Sequence, residues 1–339
     1  MTEYPLGRMT ILAPLPWLPA GCAHFALMKH LGYGAAEGIE VTTECVGSPE
    51  AAVAGIARGE GEVCFVNCAF VFLARDRGQA VKTFASYSRR RNRTFGVPLD
   101  SPIRSIADLK GATIGLNFSD LLYLARAALR DAGLDPEKDV TFIELPGDPY
   151  DEKRMVQPVK DRAVQALWLL DTTYGQVDAA GVPMRPLPSP RMEKLTPGSC
   201  LFTSDGIAGD RRDALAAFGR AFAKASVFAE TNPEATVRIL WEEEPRARPA
   251  PGEEDYTLKR DMLVLRERLA CASLRHTADP RWGAIDGKEM ADWAAFLLEV
   301  GEIGKALPAT DYFVPGLTEE FNDFDEDAVR DQARRYRAD

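Results

Sequence analysis

Two residues near the start of the chain, Cys22 and His24, have side chains that can carry out covalent chemistry. A cysteine attacks as its thiolate, and a helix N-terminus or a neighbouring cation favours that form. Cys22 immediately precedes a helix predicted from Ala23 to His30, so it has the first of these two aids. If the protein is an enzyme, Cys22 and His24 are its expected catalytic residues.

Other catalytic and cofactor-binding motifs are absent from the sequence. It contains no Walker phosphate-binding motif, no Gly-x-Ser-x-Gly and no His-Glu-x-x-His, and Gly59-x-Gly61 lacks the third glycine of a dinucleotide fingerprint. Three histidines are too few for a histidine-rich metal site, and no second cysteine pair accompanies Cys64 and Cys68. We therefore expect no cofactor and no metal ion.

The composition is that of a globular protein with an excess of acidic groups. Of its 339 residues, 46% are hydrophobic and 27% are charged, and the formal net charge is −10 at pH 7. This charge argues against nucleic acid or an anionic membrane as a partner. No window approaches the roughly 18 apolar residues that span a bilayer, so no membrane insertion is expected. The six cysteines form no small-domain disulfide framework, so reduced, buried thiols are expected.

Strand and helix patterns alternate along the first ninety residues. Strands are predicted at 9–12, 39–46, 63–66 and 81–88, and one of the helices between them begins at Ser48-Pro49-Glu50. This alternation predicts a mostly parallel sheet with helices on both faces. The charge run from Arg89 to Arg93 follows. It favours a solvated loop, with an anion-attracting cleft mouth as the alternative.

The stretch from Ser101 to Asp120 has the clearest local pattern. It predicts a turn, a short helix with the capping box Ser105-x-x-Asp108, a strand at 113–116 and a polar break, after which a new helix runs to Gly133. Backbone N–H groups at a helix start have no partners within the helix. A strand end that leads into a helix start is therefore a favoured place for a small ligand.

Residues 26–41 (ALMKHLGYGAAEGIEV), 100–115 (DSPIRSIADLKGATIG) and 293–303 (WAAFLLEVGEI) resemble segments of ABC-transporter substrate-binding proteins of the nitrate, sulfonate, taurine and thiamine-pyrimidine group. The resemblance implies a two-lobed type II periplasmic-binding-protein fold, with an α/β architecture. Each lobe is then a mostly parallel sheet flanked by helices, and a two-segment hinge joins the lobes. Lobe one is expected at 1–90 and 202–339, lobe two at 91–201, and the ligand cleft between them.

The resemblance also implies which residues contact the ligand. Aromatic side chains would wall in a planar molecule and polar ones would fix its polar atoms; the expected contacts are Trp17, Leu18, Asn67, Cys68, Asn117, Phe118, Ser119, Trp168 and Asp171. A core position for Trp168 and a helix-capping role for Asp120 remain as alternatives. Because Asp120 at a helix start would repel an anion, a neutral or cationic heteroaromatic suits these residues better than a sulfonate.

The expected function is capture of a small nitrogen- or sulfur-containing organic molecule, planar or heteroaromatic by preference, for ABC-type uptake. A permease is then the partner. The alternative is a cytoplasmic enzyme on the same scaffold, such as a desulfinase-like or pyrimidine-synthase-like activity. The cysteine-rich signature of the pyrimidine synthase is absent, and Cys22 does not fall where the desulfinase nucleophile is expected relative to Gly32-Tyr33.

The compartment stays open at this stage. The stretch before Cys22 superficially resembles a lipoprotein signal, but Pro14, Pro16 and Pro19 interrupt it, so we expect no signal peptide in this sequence. The resemblance implies the periplasm. The unpaired cysteines favour the cytoplasm.

Overall fold

The computed structural model describes residues 4–90, 93–117, 121–147, 151–274 and 277–337. Contacts divide the chain into two compact units. The first unit comprises Met1–Arg90, Thr196–Gly252 and Ala272–Asp339, and the second comprises Arg91–Leu195 and Glu253–Cys271. This division departs from the predicted one at two places. Residues 196–201 group with the first unit, and residues 253–271 group with the second.

The strands, in chain order, are β1 (Arg8–Ala13), β2 (Glu40–Cys45), β3 (Val63–Asn67), β4 (Val81–Ser86), β5 (Arg93–Pro98), β6 (Thr113–Leu116), β7 (Thr141–Glu144), β8 (Ala166–Leu170), β9 (Met184–Pro186) and β10 (Ser199–Ser204). The helices are α1 (Ala23–His30), α2 (Tyr33–Ala36), α3 (Pro49–Arg58), α4 (Ala69–Asp76), α5 (Leu122–Asp131), α6 (Glu152–Lys160), α7 (Asp171–Ala179), α8 (Asp205–Asp210), α9 (Arg212–Thr231), α10 (Pro233–Glu243), α11 (Glu254–Ala272), α12 (Gly287–Glu299), α13 (Thr318–Phe321) and α14 (Glu326–Arg335).

In the described part of the first unit, five strands form one sheet in the order β2-β1-β3-β10-β4. β1 is parallel to β2 and β3, whereas β10 is antiparallel to both of its neighbours. The long helix α9 supplies much of the core. Phe218, Phe222 and Phe228 recur along it at helical spacing, and all three are buried. Because β1 and β3 run side by side in the same direction, the segments that follow them leave from one edge of the sheet.

Local sequence signals explain where several of these helices begin. Ser48 is the N-cap of α3, and its hydroxyl accepts a hydrogen bond from the Ala51 N–H at 3.1 Å. Pro49 occupies the first helical position, where its missing N–H costs nothing. Gly59 ends the helix with a φ of 76°, a conformation that glycine adopts without strain. The predicted start of α3 is confirmed.

In the described part of the second unit, the sheet order is β7-β6-β8-β5-β9. β6 is parallel to β7 and β8, and β5 is antiparallel to β8 and β9. β9 belongs to a proline-rich segment and lies at the sheet edge, the position where prolines are tolerated in a strand. Helix α11 packs closely on α7, since a Cβ added at Gly175 would lie 2.5 Å from the backbone of Leu263.

The described residues contain no helix that combines the length and the apolar character needed to cross a membrane.

Candidate functional site

The loop after β1 carries the first two predicted contacts, Trp17 and Leu18. Trp17 is half-buried, whereas Leu18 is buried. Two side chains from the segment after α10 hold this loop. The Leu18 N–H donates to Glu244 Oε2 at 3.3 Å, and Arg246 Nη1 donates to the Pro16 carbonyl at 2.7 Å. Trp17 is therefore presented by a fixed loop at the carboxyl edge of β1.

Asn67 and Cys68 lie at the same edge of the sheet, at the end of β3. Asn67 is half-buried, and its Oδ1 accepts a hydrogen bond from the Ala69 N–H at 2.9 Å at the start of α4. Cys68 is completely buried, and its Sγ lies 3.9 Å from Met290 Sδ. Burial raises the pKa of the Cys68 thiol well above its ordinary value. The structure thus brings Asn67 to the edge where Trp17 stands, while the Cys68 thiol points into the interior.

Cys22 and His24 both lie in buried positions around the start of α1. Nε2 of His24 is 2.8 Å from the Tyr87 hydroxyl, and its ring stacks on Phe222 with 5.3 Å between centroids. Tyr87 also meets the ring edge-on at 4.9 Å. The cluster continues into Phe25 and Phe65. His24 is thus a packed member of an aromatic core, with one ring nitrogen engaged by a hydroxyl.

In the second unit, Asn117 and Asp171 follow neighbouring parallel strands. Leu116 on β6 stands beside Trp168 on β8, so both strand ends lie at one edge. Asn117 is buried, and its carbonyl accepts a hydrogen bond from Arg154 Nη2 at 3.1 Å. Phe118 and Ser119, which were also predicted to contact the ligand, lie outside the described residues, as does Asp120.

Trp168 belongs to the hydrophobic core of the second unit. It is only 1% exposed, and its ring lies 4.9 Å from that of Phe95. β8 is the central strand of this sheet. These surroundings agree with the alternative that Trp168 is a core residue. Its indole N–H has no acceptor among the described residues.

Asp171 is the first residue of α7 and forms a buried ion pair. Its Oδ2 lies 2.9 Å from Nη1 of Arg268 on α11. Burial raises the pKa of the carboxyl group, and the Arg268 charge and the Thr172 N–H oppose that shift. Arg93, at the start of β5, adds a second positive charge nearby. The sequence analysis assigned a role to neither arginine, since neither falls in a motif.

The expectation of a solvated loop at the charge run is wrong for Arg89 and Arg93, which are both buried. Arg89 donates to the backbone carbonyls of Asp279, at 3.2 Å, and Ala284, and also to the Ser86 hydroxyl. Burial lowers the pKa of its guanidinium group. Of the described residues in the run, only Arg90 is exposed. Arg89 thus satisfies two carbonyl groups that the sequence pattern does not reveal.

The described residues include no group of three His, Cys, Asp or Glu side chains arranged to hold a metal ion. A small cavity in the first unit, of about 10 Å³, lies between Tyr87, Phe222, Trp282 and Phe321. That volume is about the space of one water molecule.

Residues 22–236 match the sequence profile of the family described as NMT1/THI5 like, which is well over half of the chain. This protein belongs to the NMT1/THI5-like family. RibY of Chloroflexus aurantiacus, a riboflavin-binding protein, is 26% identical over 293 residues, which are 84% of this chain and 80% of RibY.

Solved structures show the same fold. The periplasmic aliphatic sulphonate-binding protein SsuA of Escherichia coli superposes with a TM-score of 0.67 at 14% identity, over 92% of this chain and 99% of SsuA. The desulfurization enzyme DSZB superposes with a TM-score of 0.60 at 15% identity, over 93% and 98% of the two chains. At such identities the likeness concerns the fold alone. The predicted family and the predicted periplasmic-binding-protein fold are confirmed.

Proposed function

We propose that this protein reversibly binds a small organic molecule as the ligand-binding component of an ABC-type import system. The observation that carries the proposal is the match to RibY, because it extends over 84% of this chain and that relative binds riboflavin. The sulphonate-binding SsuA shares the fold. A membrane permease is the proposed partner. The proposal agrees with the function expected from the sequence.

The proposed ligand is a planar heteroaromatic molecule without net charge, and riboflavin is the first probe. Trp17 and Asn67 support this class, because a half-buried indole and a half-buried amide stand at neighbouring strand ends of the first unit. An indole stacks on a flat ring, and an amide both donates and accepts hydrogen bonds. In the second unit, Asn117 and Asp171 are the proposed polar contacts. The ligand cleft predicted from the sequence remains part of this proposal.

The enzyme alternative has no support beyond the fold similarity to DSZB. A fold hosts many activities, so this similarity does not argue for catalysis. His24 is stacked on Phe222 and bonded to the Tyr87 hydroxyl, which fits a core role. We therefore propose no reaction for Cys22 and His24.

Riboflavin fluorescence gives a direct test. Titration of riboflavin with the protein is expected to change its emission to saturation, and Trp17→Ala is expected to weaken binding about tenfold, or 1.4 kcal/mol. Phe324→Ala is the control, since Phe324 is also a half-buried aromatic residue and its ring lies beside Lys224 on α9. If an alkanesulfonate binds saturably and riboflavin does not, the protein is a solute-binding protein but the proposed class of ligand is wrong. Failure of both ligands would contradict the proposal.

A further inference from the structure

Three buried sulfur atoms lie together in the first unit, where β3 ends. Cys68 Sγ is 3.9 Å from Met290 Sδ, and Cys200 on the neighbouring strand β10 stands diagonally across from Cys68, near enough to interact with its thiol. All three residues are 0% exposed. Two thiols and a thioether are soft ligands, the kind that selects Cu(I) over harder metal ions.

The strand register makes a disulfide a poor alternative for this pair. Asn67 pairs with Ser199, so Cys68 stands diagonally across from Cys200 rather than opposite it. Diagonal neighbours on antiparallel strands are about 7–8 Å apart. A disulfide needs its Cα atoms closer than about 7 Å. The diagonal pairing therefore disfavours a direct S–S bond, and both cysteines are free thiols in the structure.

A bridging metal ion fits the observed sulfur spacing better. Metal–thiolate bonds are about 2.3 Å long, so three of them in a plane hold the sulfur atoms about 4 Å apart. The distance of 3.9 Å between Cys68 Sγ and Met290 Sδ matches that spacing. The two atoms can therefore bind one ion with little rearrangement.

Met290 is held in place by contacts around the start of α12. The Thr196 hydroxyl donates to Glu289 Oε1 at 2.8 Å, and Trp293 Nε1 donates to the Pro197 carbonyl at 3.2 Å. Thr196 and Pro197 lie just before β10, the strand that carries Cys200. The thioether and the second thiol thus belong to two segments that are tied to each other.

The charges around the cluster suit an anionic complex. Two thiolates and one Cu(I) ion have a net charge of −1, and the buried guanidinium group of Arg89 interacts favourably with Cys200. Among the described residues Arg89 forms no ion pair with a carboxylate, since it donates to two carbonyls and the Ser86 hydroxyl. Glu289 interacts unfavourably with a Cys68 thiolate and favourably with Arg89. A buried cation beside the cluster offsets the charge of the complex.

We propose that Cys68, Cys200 and Met290 form a three-coordinate site for Cu(I). Binding forms three copper–sulfur bonds and releases the two thiol protons to solvent, with no electron transfer. The third ligand is a thioether, so the site lies outside the His, Cys, Asp and Glu combinations that bind harder metals. Cys68 follows the proposed ligand contact Asn67 in the chain, but its side chain is completely buried.

The test is anaerobic titration of the whole protein with Cu(I) held by a competing chelator. Native mass spectrometry is expected to show one tightly bound copper per chain, and X-ray absorption to show three sulfur neighbours at about 2.3 Å. Cys68→Ser and Cys200→Ser are each expected to lose this copper. Met290→Leu, which conserves volume, is expected to keep two sulfur neighbours and to bind about tenfold more weakly.

Cys45→Ser is the control, because Cys45 is an exposed cysteine on β2 of the same unit. It is expected to bind copper as the parent does. Because a serine in the core can disturb folding, circular dichroism is measured for each variant. Copper binding by the parent protein tests the proposal independently of the variants. No copper retained by the parent, or the same three-sulfur signal in folded Cys68→Ser, would overturn the proposal.

Discussion

Arg268 and Asp171 form an ion pair of 2.9 Å in the second unit, with side chains that are 5% and 3% exposed. The pair joins α11 to the first residue of α7. It accompanies the close helix contact at Gly175, where a side chain would strike the backbone of Leu263. Helix α11 follows more than fifty residues of the first unit along the chain, yet these contacts hold it in the second.

Replacing Arg268 with Leu removes the charge that opposes the burial of Asp171. The variant is expected to lose about 3–5 kcal/mol of unfolding free energy at pH 7, measured by urea denaturation. Burial raises the pKa of Asp171 in the folded parent, and removal of Arg268 raises it further. The loss therefore grows as the pH rises above the folded-state pKa of the parent and is complete above that of the variant. The double variant with Asp171→Asn should lack this pH dependence. An equal loss at pH 4 and pH 7 in the single variant would contradict this assignment.

The Phe321 ring packs against Gly219 on α9 and fills the space that a side chain there would need. A Cβ added there would lie 1.9 Å from the Phe321 ring, which is itself buried. Gly219→Ala is therefore expected to cost about 1–3 kcal/mol in chemical denaturation, although Ala favours helices. Gly209→Ala on α8 is the control, since nothing lies within 4 Å of the new atom. Equal stabilities of the two variants would show that the ring moves aside freely.

Arg89 and Arg90 are adjacent in sequence and differ in burial. Arg89→Ala leaves the buried Ala284 carbonyl and the half-buried Asp279 carbonyl without their charged donor, and each such bond contributes about 1.5–3 kcal/mol. Arg90 is exposed, so Arg90→Ala is expected to change stability by less than about 0.5 kcal/mol. Thermal unfolding of the two variants side by side measures the difference. A large loss of stability in Arg90→Ala with none in Arg89→Ala would contradict the stabilising role of Arg89.

Arg246 acts on the proposed ligand site through the loop that carries Trp17. Its bond to the Pro16 carbonyl orders this loop, and without it ligand binding must supply the ordering free energy. Arg246→Ala is expected to weaken riboflavin binding about tenfold, or 1.4 kcal/mol, in a fluorescence titration. Arg248→Ala is the matched control, because the partners of Arg248 within the described part of the chain are the Trp241 and Glu242 carbonyls. Similar riboflavin affinities for the two variants would show that the Arg246 bond to the loop does not strengthen ligand binding.

Local signals predicted much of the first unit because they act within a few residues. The cap at Ser48 and the proline at 49 place α3 without any tertiary information. β5 and β10 were not predicted as strands. Both are antiparallel, and β10 pairs with β3 and β4, which lie more than a hundred residues earlier. Such pairing depends on distant partners rather than on a local pattern.

The site was harder to predict, for a related reason. The strand ends at Asn67, Asn117 and Asp171 follow from the alternation of strands and helices. The partner of Asp171 lies 97 positions away on a helix expected in the other lobe, so no spacing in the sequence reveals it. The burial of Arg89 likewise depends on carbonyl groups about 190 residues further along.

Native mass spectrometry tests the central claim most directly. The protein is incubated with riboflavin, a pyrimidine and an alkanesulfonate. The masses of the complex and of the released ligand are then measured. Reversible solute binding predicts one ligand per chain, a preference for the planar heteroaromatic compound and an unchanged ligand mass on release. A released compound of altered mass, or no complex with any of the three, would contradict it.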